Sequence, residues 1–278
     1  MSNSGMMSIG RKSTRIMTIE RGWLDEEAGA EWFTLLRGAS SIDEPYLGDS
    51  VCGYTGDDVV HYMECRKNLA LILGVDVSDL IQTRQSHTSN VVFLDDSFFV
   101  KDVGSRCGCL QDVDGIVTCH RKVAIGVNTA DCVPVLLCAA GNVPMIAAIH
   151  AGWRGTVAGI VVKAVDCMVE HGAKIEEMTA YIGVSICGKC YEVGDEVADM
   201  FAKAGLGESD VISRNDVTGK AHVNLKEANR KLLVKVGLDY HKITVNGDCS
   251  FESPDKYYSA RRMGVNSGRT FTGIVLHK

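Results

Sequence analysis

A cysteine and a histidine near the middle of the chain flank two short apolar runs. Cys132 stands directly before the run at 133–139, and His150 stands directly after the run at 145–149. Short aliphatic runs of this kind are typical of buried strands. If the two strands are neighbours joined by the turn at Gly141 and Asn142, we expect the thiol and the imidazole at the same end of one sheet.

His87, upstream in the polar segment 84–90, adds a second imidazole. Two imidazoles and one thiolate are a ligand set typical of zinc, with the fourth position open to water or substrate. The three residues are 45 and 18 positions apart (132 − 87 and 150 − 132), so the spacing itself matches no local metal motif. Residue types alone also allow a buried core thiol with two ordinary histidines, or a cysteine hydrolase with Cys132 as nucleophile and His150 as base.

Longer motifs surround these residues and occur in a fixed order from about Phe33 to Arg269. In these motifs and in their order, the chain resembles the bacterial laccase-domain family. Members of that family are described as polyphenol oxidases and as zinc-dependent purine nucleoside phosphorylases. The matching segments are Phe33-Thr-Leu-Leu-Arg37, Gly56-Asp57, Arg84-Gln-Ser-His87, Asp114-Gly115-Ile-Val-Thr118, Thr129-Ala-Asp-Cys-Val-Pro-Val135, His150-Ala-Gly-Trp-Arg-Gly-Thr156, Tyr181-Ile-Gly183, Tyr191-Glu-Val-Gly194, Asn224-Leu-Lys-Glu-Ala-Asn229, Tyr257-Tyr-Ser-Ala-Arg-Arg262 and Gly268-Arg269.

The resemblance implies a mixed-sheet α/β sandwich and zinc on His87, Cys132 and His150. It further implies phosphorolysis of adenosine, guanosine, inosine and methylthioadenosine, together with adenosine deamination. The chain departs from the family pattern where Gly183-Val184 replaces the usual Gly-Pro, and where Cys107-Gly-Cys109 precedes Asp114.

Several polar residues in these motifs are candidates for the chemistry. A metal ion would act as a Lewis acid and lower the pKa of a water towards neutrality for deamination. Asp131, next to Cys132, is expected to relay a proton or to orient the metal's surroundings. Phosphorolysis needs a phosphate held by bidentate arginine, and Arg154 also stands at a predicted helix start that favours an anion. The candidate arginines are Arg37, Arg154, Arg261 and Arg262, and the candidate base or ribose contacts are Gln85 and Glu192.

A copper-dependent polyphenol oxidase is the main alternative. A conventional multicopper oxidase builds its copper cluster largely from His-x-His pairs, and this chain has eight histidines and no such pair. One His₂Cys site resembles a blue-copper ligand set, so copper is the alternative cofactor, with phenol oxidation as its consequence. A third alternative is a non-enzymatic role, or an editing role in cell-wall precursor synthesis. A purely structural protein is the least favoured, because the motifs are rich in polar residues.

The eleven cysteines are a high count for a chain without a recognisable signal sequence. Buried thiols or metal ligands in a reducing cytoplasm are therefore expected rather than disulfides. Cys187-Gly-Lys-Cys190 is half a zinc motif or a redox pair, and because no second CxxC exists a structural role is favoured. The pair Cys119-His120 is interpreted in the same way, and Cys107 and Cys109 receive no role.

Composition and hydropathy argue against two broad classes of protein. The formal net charge of −6 argues against a nucleic-acid binder, since such proteins usually carry a basic excess. A few arginines can still bind a small anion such as phosphate. No apolar run approaches the roughly 18 residues needed to span a bilayer.

The elements that must position these residues follow from periodicity. Apolar spacing predicts helices at 57–73, 155–170, 195–203 and 225–236. Short apolar runs predict strands at 91–94, 123–127, 133–139, 145–149, 179–182, 221–224, 243–245 and 270–276. Because helices and strands alternate without clean βαβ units, we expect an α+β layered sandwich of mixed β-sheets flanked by helices. A flexible tail at 1–20 would precede one domain at 21–278.

Overall fold

Two large β-sheets dominate the structure, a computed structural model that describes residues 17–38 and 43–277. The strands are β1 (Ile19–Asp25), β2 (Ala30–Leu35), β3 (Leu80–Gln82), β4 (Val91–Leu94), β5 (Gly115–Thr118), β6 (Ala124–Thr129), β7 (Val133–Ala139), β8 (Met145–Ala151), β9 (Met178–Ile182), β10 (Glu192–Val193), β11 (Ile212–Arg214), β12 (Ala221–Val223), β13 (Ile243–Val245) and β14 (Thr270–Leu276). The helices are α1 (Val59–Leu73), α2 (Asp96–Phe99), α3 (Val103–Cys109), α4 (Trp153–Val157), α5 (Ile160–Glu170), α6 (Asp195–Lys203), α7 (Leu225–Val236) and α8 (Ala260–Met263).

Both large sheets are mixed. The first has five strands in the order β1-β2-β14-β6-β3, with β3 parallel to β6 and the other pairs antiparallel. The second has six strands in the order β13-β9-β7-β8-β5-β4, with parallel pairs at its two edges. Strands β10, β12 and β11 form a small antiparallel sheet.

The alternation of side chains along each strand sorts them into separate cores. On β7, Val135 and Leu137 face a core shared with α5 and α7, whereas Leu136 and Cys138 face the five-stranded sheet. On β14, Ile274 faces the second sheet, and Phe271 and Val275 pack on the side of α1. The order of layers is therefore helix, sheet, sheet, helix, and the predicted layered α+β sandwich is confirmed.

One predicted helix is wrong in its extent. The pattern at 155–170 predicts a single helix, but the structure has two, α4 and α5, separated at Ala158 and Gly159. Gly159 has a φ of 73°, a left-handed conformation that cannot continue a right-handed helix and that glycine adopts without a steric cost. The remaining predicted helices and strands are present, most within two residues of the predicted ends.

Two further expectations concern the chain's ends and membranes. The predicted tail at 1–20 falls mostly on residues 1–16, which lie outside the described residues, and β1 already begins at Ile19. Among the described residues, no helix has the length and apolar character needed to cross a membrane.

Candidate metal centre

The end of one strand pair brings Cys132 and His150 together. In the antiparallel pairing of β7 with β8, Val133 lies opposite Ala151 and Pro134 lies opposite His150. Cys132 immediately precedes β7, so the thiol and the imidazole share one sheet end, as the sequence predicts. His87 reaches the same place from the loop between β3 and β4.

The three side chains form a compact donor cluster. The Cys132 Sγ atom lies 3.8 Å from the His87 Nε2 atom, and all three ligand atoms lie within 4.8 Å of one another. Ligands around a tetrahedral zinc ion are separated by about 3.4–3.8 Å, because Zn–N and Zn–S bonds are about 2.0 and 2.3 Å. The residues present therefore fit a metal ion after a small contraction.

Gly152 forms the floor of this cluster. A Cβ atom built on Gly152 would lie 2.9 Å from the His87 Cδ2 atom and 3.0 Å from the Cys132 Sγ atom. The first distance is shorter than real contacts of a Cβ atom and the second is at their lower limit, so any larger residue would displace the ligands. The φ of Gly152 is −69°, and the need for glycine here is therefore steric rather than conformational.

Asp114 is fully buried, and its carboxylate holds both His150 and the loop that carries His87. Its carboxylate accepts a 2.7 Å hydrogen bond from the His150 Nδ1 atom. It also accepts hydrogen bonds from the backbone amides of Ser86, His87 and Thr88, and from the Thr88 hydroxyl. Because a carboxylate only accepts, the His150 Nδ1 atom carries a proton, and Nε2 is the atom that can bind a metal once it is deprotonated.

Without a metal, the charges in the cluster favour a Cys132 thiolate beside a protonated His150. Burial raises the pKa of the Cys132 thiol, but the neighbouring His150 and His87 outweigh it and lower the value to about 6. Burial lowers the pKa of His150, but Cys132 and Asp114 outweigh it and raise the value to about 9. The thiolate that a metal requires is thus already favoured at neutral pH.

Two residues at the cluster have left-handed backbones. His87 has a φ of 64° and Asp131 has a φ of 91°. Non-glycine residues rarely adopt such angles, and they persist where surrounding contacts hold them in place. Asp114 supplies those contacts for His87. For Asp131, the carboxylate accepts hydrogen bonds from the Ser250 hydroxyl and the Arg261 backbone amide.

A family described as multi-copper polyphenol oxidoreductase laccase matches residues 31–277. The chain belongs to this family. The resemblance that the sequence motifs predict is therefore confirmed.

Two named relatives and one solved structure are similar to this chain over most of their length. Adenosine deaminase RL5, from an unknown prokaryotic organism, is 43% identical over 246 residues, which cover 88% of this chain and 94% of the relative. A purine nucleoside phosphorylase of Bacteroides thetaiotaomicron is 33% identical over 277 residues, covering 98% of this chain and 100% of the relative. The crystal structure of the hypothetical protein YfiH of Bacillus licheniformis superposes with a TM-score of 0.81 at 26% identity, covering 89% of this chain and 92% of the other.

Near the centre, this laccase-family chain has Tyr191, which interacts electrostatically with Cys132 and with two arginines, Arg261 and Arg154. Burial raises the pKa of Tyr191 to about 12, with the negative charges of Cys132 and Asp131 adding to it, and Arg261 and Arg154 acting against it. The guanidinium of Arg261 lies 5.4 Å from the centre of the Tyr191 ring. Arg154 is exposed and stacks over Trp153 at 4.2 Å.

Four other residues predicted to bind substrate have partners elsewhere. Arg37 is fully buried and donates to the carbonyls of residues 44, 47 and 254. The amide of Gln85 is paired on both sides with the backbone of residue 128. The Glu192 carboxylate forms an ion pair with Lys220. Arg262 donates to a carbonyl at residue 251 and stacks on that ring.

Sequence reasoning assigned no role to Asp114, Gly152 or Tyr191. All three lie inside the quoted family motifs, so a signal was present. It could not be interpreted, because the distance from Asp114 to His150, 36 positions away, is set only when β5 pairs with β8 and His150 donates its backbone amide to the Asp114 carbonyl.

Proposed function

We propose that this protein is a metal-dependent purine nucleoside phosphorylase with adenosine deaminase activity. The observation that carries the proposal is the three-donor cluster of His87, Cys132 and His150, open to solvent at His87 and bordered by Tyr191 and Arg154. Three protein ligands with an open position are typical of catalytic rather than structural metal sites. The names of the relatives, adenosine deaminase and purine nucleoside phosphorylase, support the same reactions.

The proposed cofactor is Zn²⁺, held by the two imidazoles and the thiolate. When bound, such an ion supplies Lewis acidity, which polarises an oxygen and lowers the pKa of water. Asp114 keeps His150 in the tautomer that binds metal. In this proposal Asp131 is a positioning residue, because both oxygens of its carboxylate already accept hydrogen bonds from Ser250 and Arg261.

The proposed substrates are adenosine, guanosine, inosine and methylthioadenosine, with phosphate as the second substrate. In phosphorolysis a phosphate oxygen forms a bond to the ribose C1′ while the bond from C1′ to the purine nitrogen breaks, and the purine leaves with a proton. Arg154 is the residue proposed to hold the phosphate, since its guanidinium is exposed beside the centre. Tyr191 is proposed to hydrogen-bond the nucleoside. Arg37 and Gln85 are proposed to have structural roles. The proposed location of the protein is the cytoplasm.

A copper-dependent phenol oxidase is the second candidate, favoured by the family's description. A single His₂Cys centre can exchange one electron with a phenol, whereas reduction of oxygen to water needs four electrons.

The distinction between the proposed metalloenzyme and a cysteine hydrolase rests on metal content. A nucleophilic Cys132 would need a free thiolate, and a metal ligand does not.

The test measures products from adenosine and inosine with protein of known metal content. Zinc-loaded protein should release hypoxanthine from inosine only with phosphate, and should convert adenosine to adenine with phosphate and to inosine without it. The His150→Ala variant should lose both zinc and activity. Absence of turnover by the zinc form, together with phenol oxidation that follows copper content, would replace the proposal with the oxidase.

A further inference from the structure

A second group of metal-binding side chains lies in two loops outside the centre described above. It consists of Cys187 and Cys190, in the loop before β10, and Cys249 and Glu252, in the loop after β13. The three sulfur atoms and one carboxylate oxygen all lie within 4.8 Å of one another. We call these four residues the thiol cluster.

Local hydrogen bonds shape the first loop as a tight turn. The carbonyl of Cys187 accepts hydrogen bonds from the backbone amides of Cys190 and Tyr191, both at 3.0 Å. A CxxC segment folded in this way directs two sulfurs to one point, as in structural zinc sites. The sequence contains no second CxxC, but the fold supplies two more donors 59 and 62 positions after Cys190 (249 − 190 and 252 − 190).

The second loop is fastened to the first through backbone contacts. Ser185 forms a parallel β-bridge with Cys249, and the Ser250 amide donates to the Ser185 carbonyl at 3.1 Å. The Cys187 amide donates to the Cys249 sulfur at 3.2 Å. Amide donors of this kind stabilise negative charge on sulfur, which is the form that binds metal.

A buried cation lies beside the thiol cluster. Lys226 is buried, and its ammonium donates to the carbonyls of Asn246 and Asp248 at 2.8 and 2.6 Å. The same ammonium interacts electrostatically with Cys249 and Cys187. Three thiolates and a carboxylate around a divalent ion carry a net charge of −2 (2 − 4), and a neighbouring Lys226 offsets half of it.

From these contacts we propose that Cys187, Cys190, Cys249 and Glu252 form a second metal site that binds Zn²⁺. Three soft sulfur ligands favour Zn²⁺ over Mg²⁺ or Ca²⁺. Around tetrahedral zinc, a sulfur atom and a carboxylate oxygen would lie about 3.6 Å apart. The Cys187 Sγ atom and the Glu252 Oε2 atom are already 3.9 Å apart. With four protein ligands the site is closed, and its role is structural.

The thiol cluster is connected to the first metal centre through hydrogen bonds to Asp131. The Ser250 hydroxyl donates to the Asp131 carboxylate at 2.8 Å, and the Ile186 amide donates to the Asp131 carbonyl at 3.1 Å. Both donors are adjacent to cluster ligands, and Asp131 is adjacent to Cys132. Zinc in the thiol cluster therefore holds the two loops that keep Asp131 in its left-handed conformation.

The experiment counts zinc in the full chain by inductively coupled plasma mass spectrometry, after purification under reducing conditions. Wild-type protein should contain two zinc ions per chain. Cys190→Ser and His150→Ala should each contain one, and the double variant none. Cys107→Ser is the matched control, because Cys107 is an exposed cysteine on α3, and it should retain two.

Cobalt substitution identifies which ion remains. Cobalt in His150→Ala should give the intense sulfur-to-metal absorption of three thiolates, and cobalt in Cys190→Ser should give the weaker absorption of the single Cys132 ligand. If Cys190→Ser does not fold, Glu252→Gln replaces it, since Glu252 is exposed. This variant should lose one of its two zinc ions to a chelator at least tenfold faster than wild type.

The proposal is overturned if wild-type protein holds one zinc that His150→Ala removes, or if Cys190→Ser retains two. It is also overturned if Cys187 and Cys190 are joined by a disulfide under these conditions, which thiol alkylation followed by mass spectrometry detects. None of these outcomes depends on nucleoside turnover, so failure here leaves the proposed reaction standing.

Discussion

The Asp114 carboxylate binds both the His150 ring, through a 2.7 Å hydrogen bond, and the backbone of the loop that carries His87. One side chain therefore positions two of the three donors of the candidate metal centre. Outer partners of this kind fix the orientation and the tautomer of a ligand. The same carboxylate links the six-stranded sheet to the β3–β4 loop, so it also contributes to folding.

Replacing Asp114 with Asn should weaken metal binding without abolishing the fold. The amide keeps the size of the carboxylate but loses its charge and half of its accepting capacity. We expect a roughly 10- to 100-fold loss of zinc affinity, measured by competition with a chromogenic chelator. Asp112→Asn is the control, because Asp112 is exposed and nearby, and its affinity should equal that of wild type. Equal affinities in both variants would remove Asp114 from the centre.

Acidification should destabilise the metal-free protein by protonating the Asp114 carboxylate. Burial raises the pKa of Asp114, but His150 and Thr88 outweigh it and lower the value from 3.8 to about 2. A depressed folded-state pKa gives stability that is present above pH about 4 and lost as pH falls towards 2. The free energy of unfolding should therefore fall by about 2 kcal/mol more in wild type than in Asp114→Asn between pH 5 and 2. Urea titrations at both pH values measure this, and parallel losses would contradict it.

Gly152→Ala tests the packing of the donor cluster. The added methyl group would lie 2.9 Å from His87 and 3.0 Å from Cys132, so the ligands must separate. We expect zinc affinity to fall at least tenfold while the thermal unfolding of the metal-free protein changes little. The matched control is Gly108→Ala in α3, where nothing lies within 4 Å of the added atom. Unchanged zinc affinity in Gly152→Ala would show that the ligands do not converge at this point.

Much of the scaffold could be predicted from local sequence, because periodic apolar residues report which faces are buried. The strands at 133–139 and 270–276 have the predicted ends. The approach of Cys132 to His150 was also predictable, since two adjacent antiparallel strands need only one turn. The break at Gly159 was not, because apolar spacing continues through it and an isolated glycine is tolerated in many helices.

The parts of the site that sequence reasoning missed depend on contacts between distant segments. Cys249 and Glu252 join Cys187 and Cys190 only because β13 pairs with β9 and aligns the loops that follow. Gln85 and Arg37 have residue types suited to substrates, yet each meets backbone groups brought close by the fold. Residue type indicates what a side chain can bind, and only the fold decides which partner it meets.

Tyr191→Phe should reduce catalysis without removing metal. The ring would keep its contact with Arg261, whereas the hydroxyl, which interacts electrostatically with Cys132 and Arg154, would be lost. Loss of one hydrogen bond to a substrate costs about 1–2 kcal/mol, or roughly a tenfold fall in kcat/KM for inosine. Zinc content should stay at the wild-type level. Tyr240→Phe is the control that should keep full activity, because Tyr240 is an exposed tyrosine paired with Arg230. Full activity in Tyr191→Phe would exclude the Tyr191 hydroxyl from the site.

Arg154→Ala separates phosphate binding from nucleoside binding. Arg154 is exposed next to the centre and stacks on Trp153, so its removal should neither unfold the chain nor release zinc. A charge-assisted contact to phosphate is worth about 1.5–3 kcal/mol, so the KM for phosphate should rise roughly 10- to 100-fold. Adenosine deamination, which uses no phosphate, should be retained. Initial rates at varied phosphate measure this, with Arg121→Ala on a distant exposed turn as the control. Equal loss of phosphorolysis and deamination would instead assign Arg154 to the nucleoside or to the integrity of the centre.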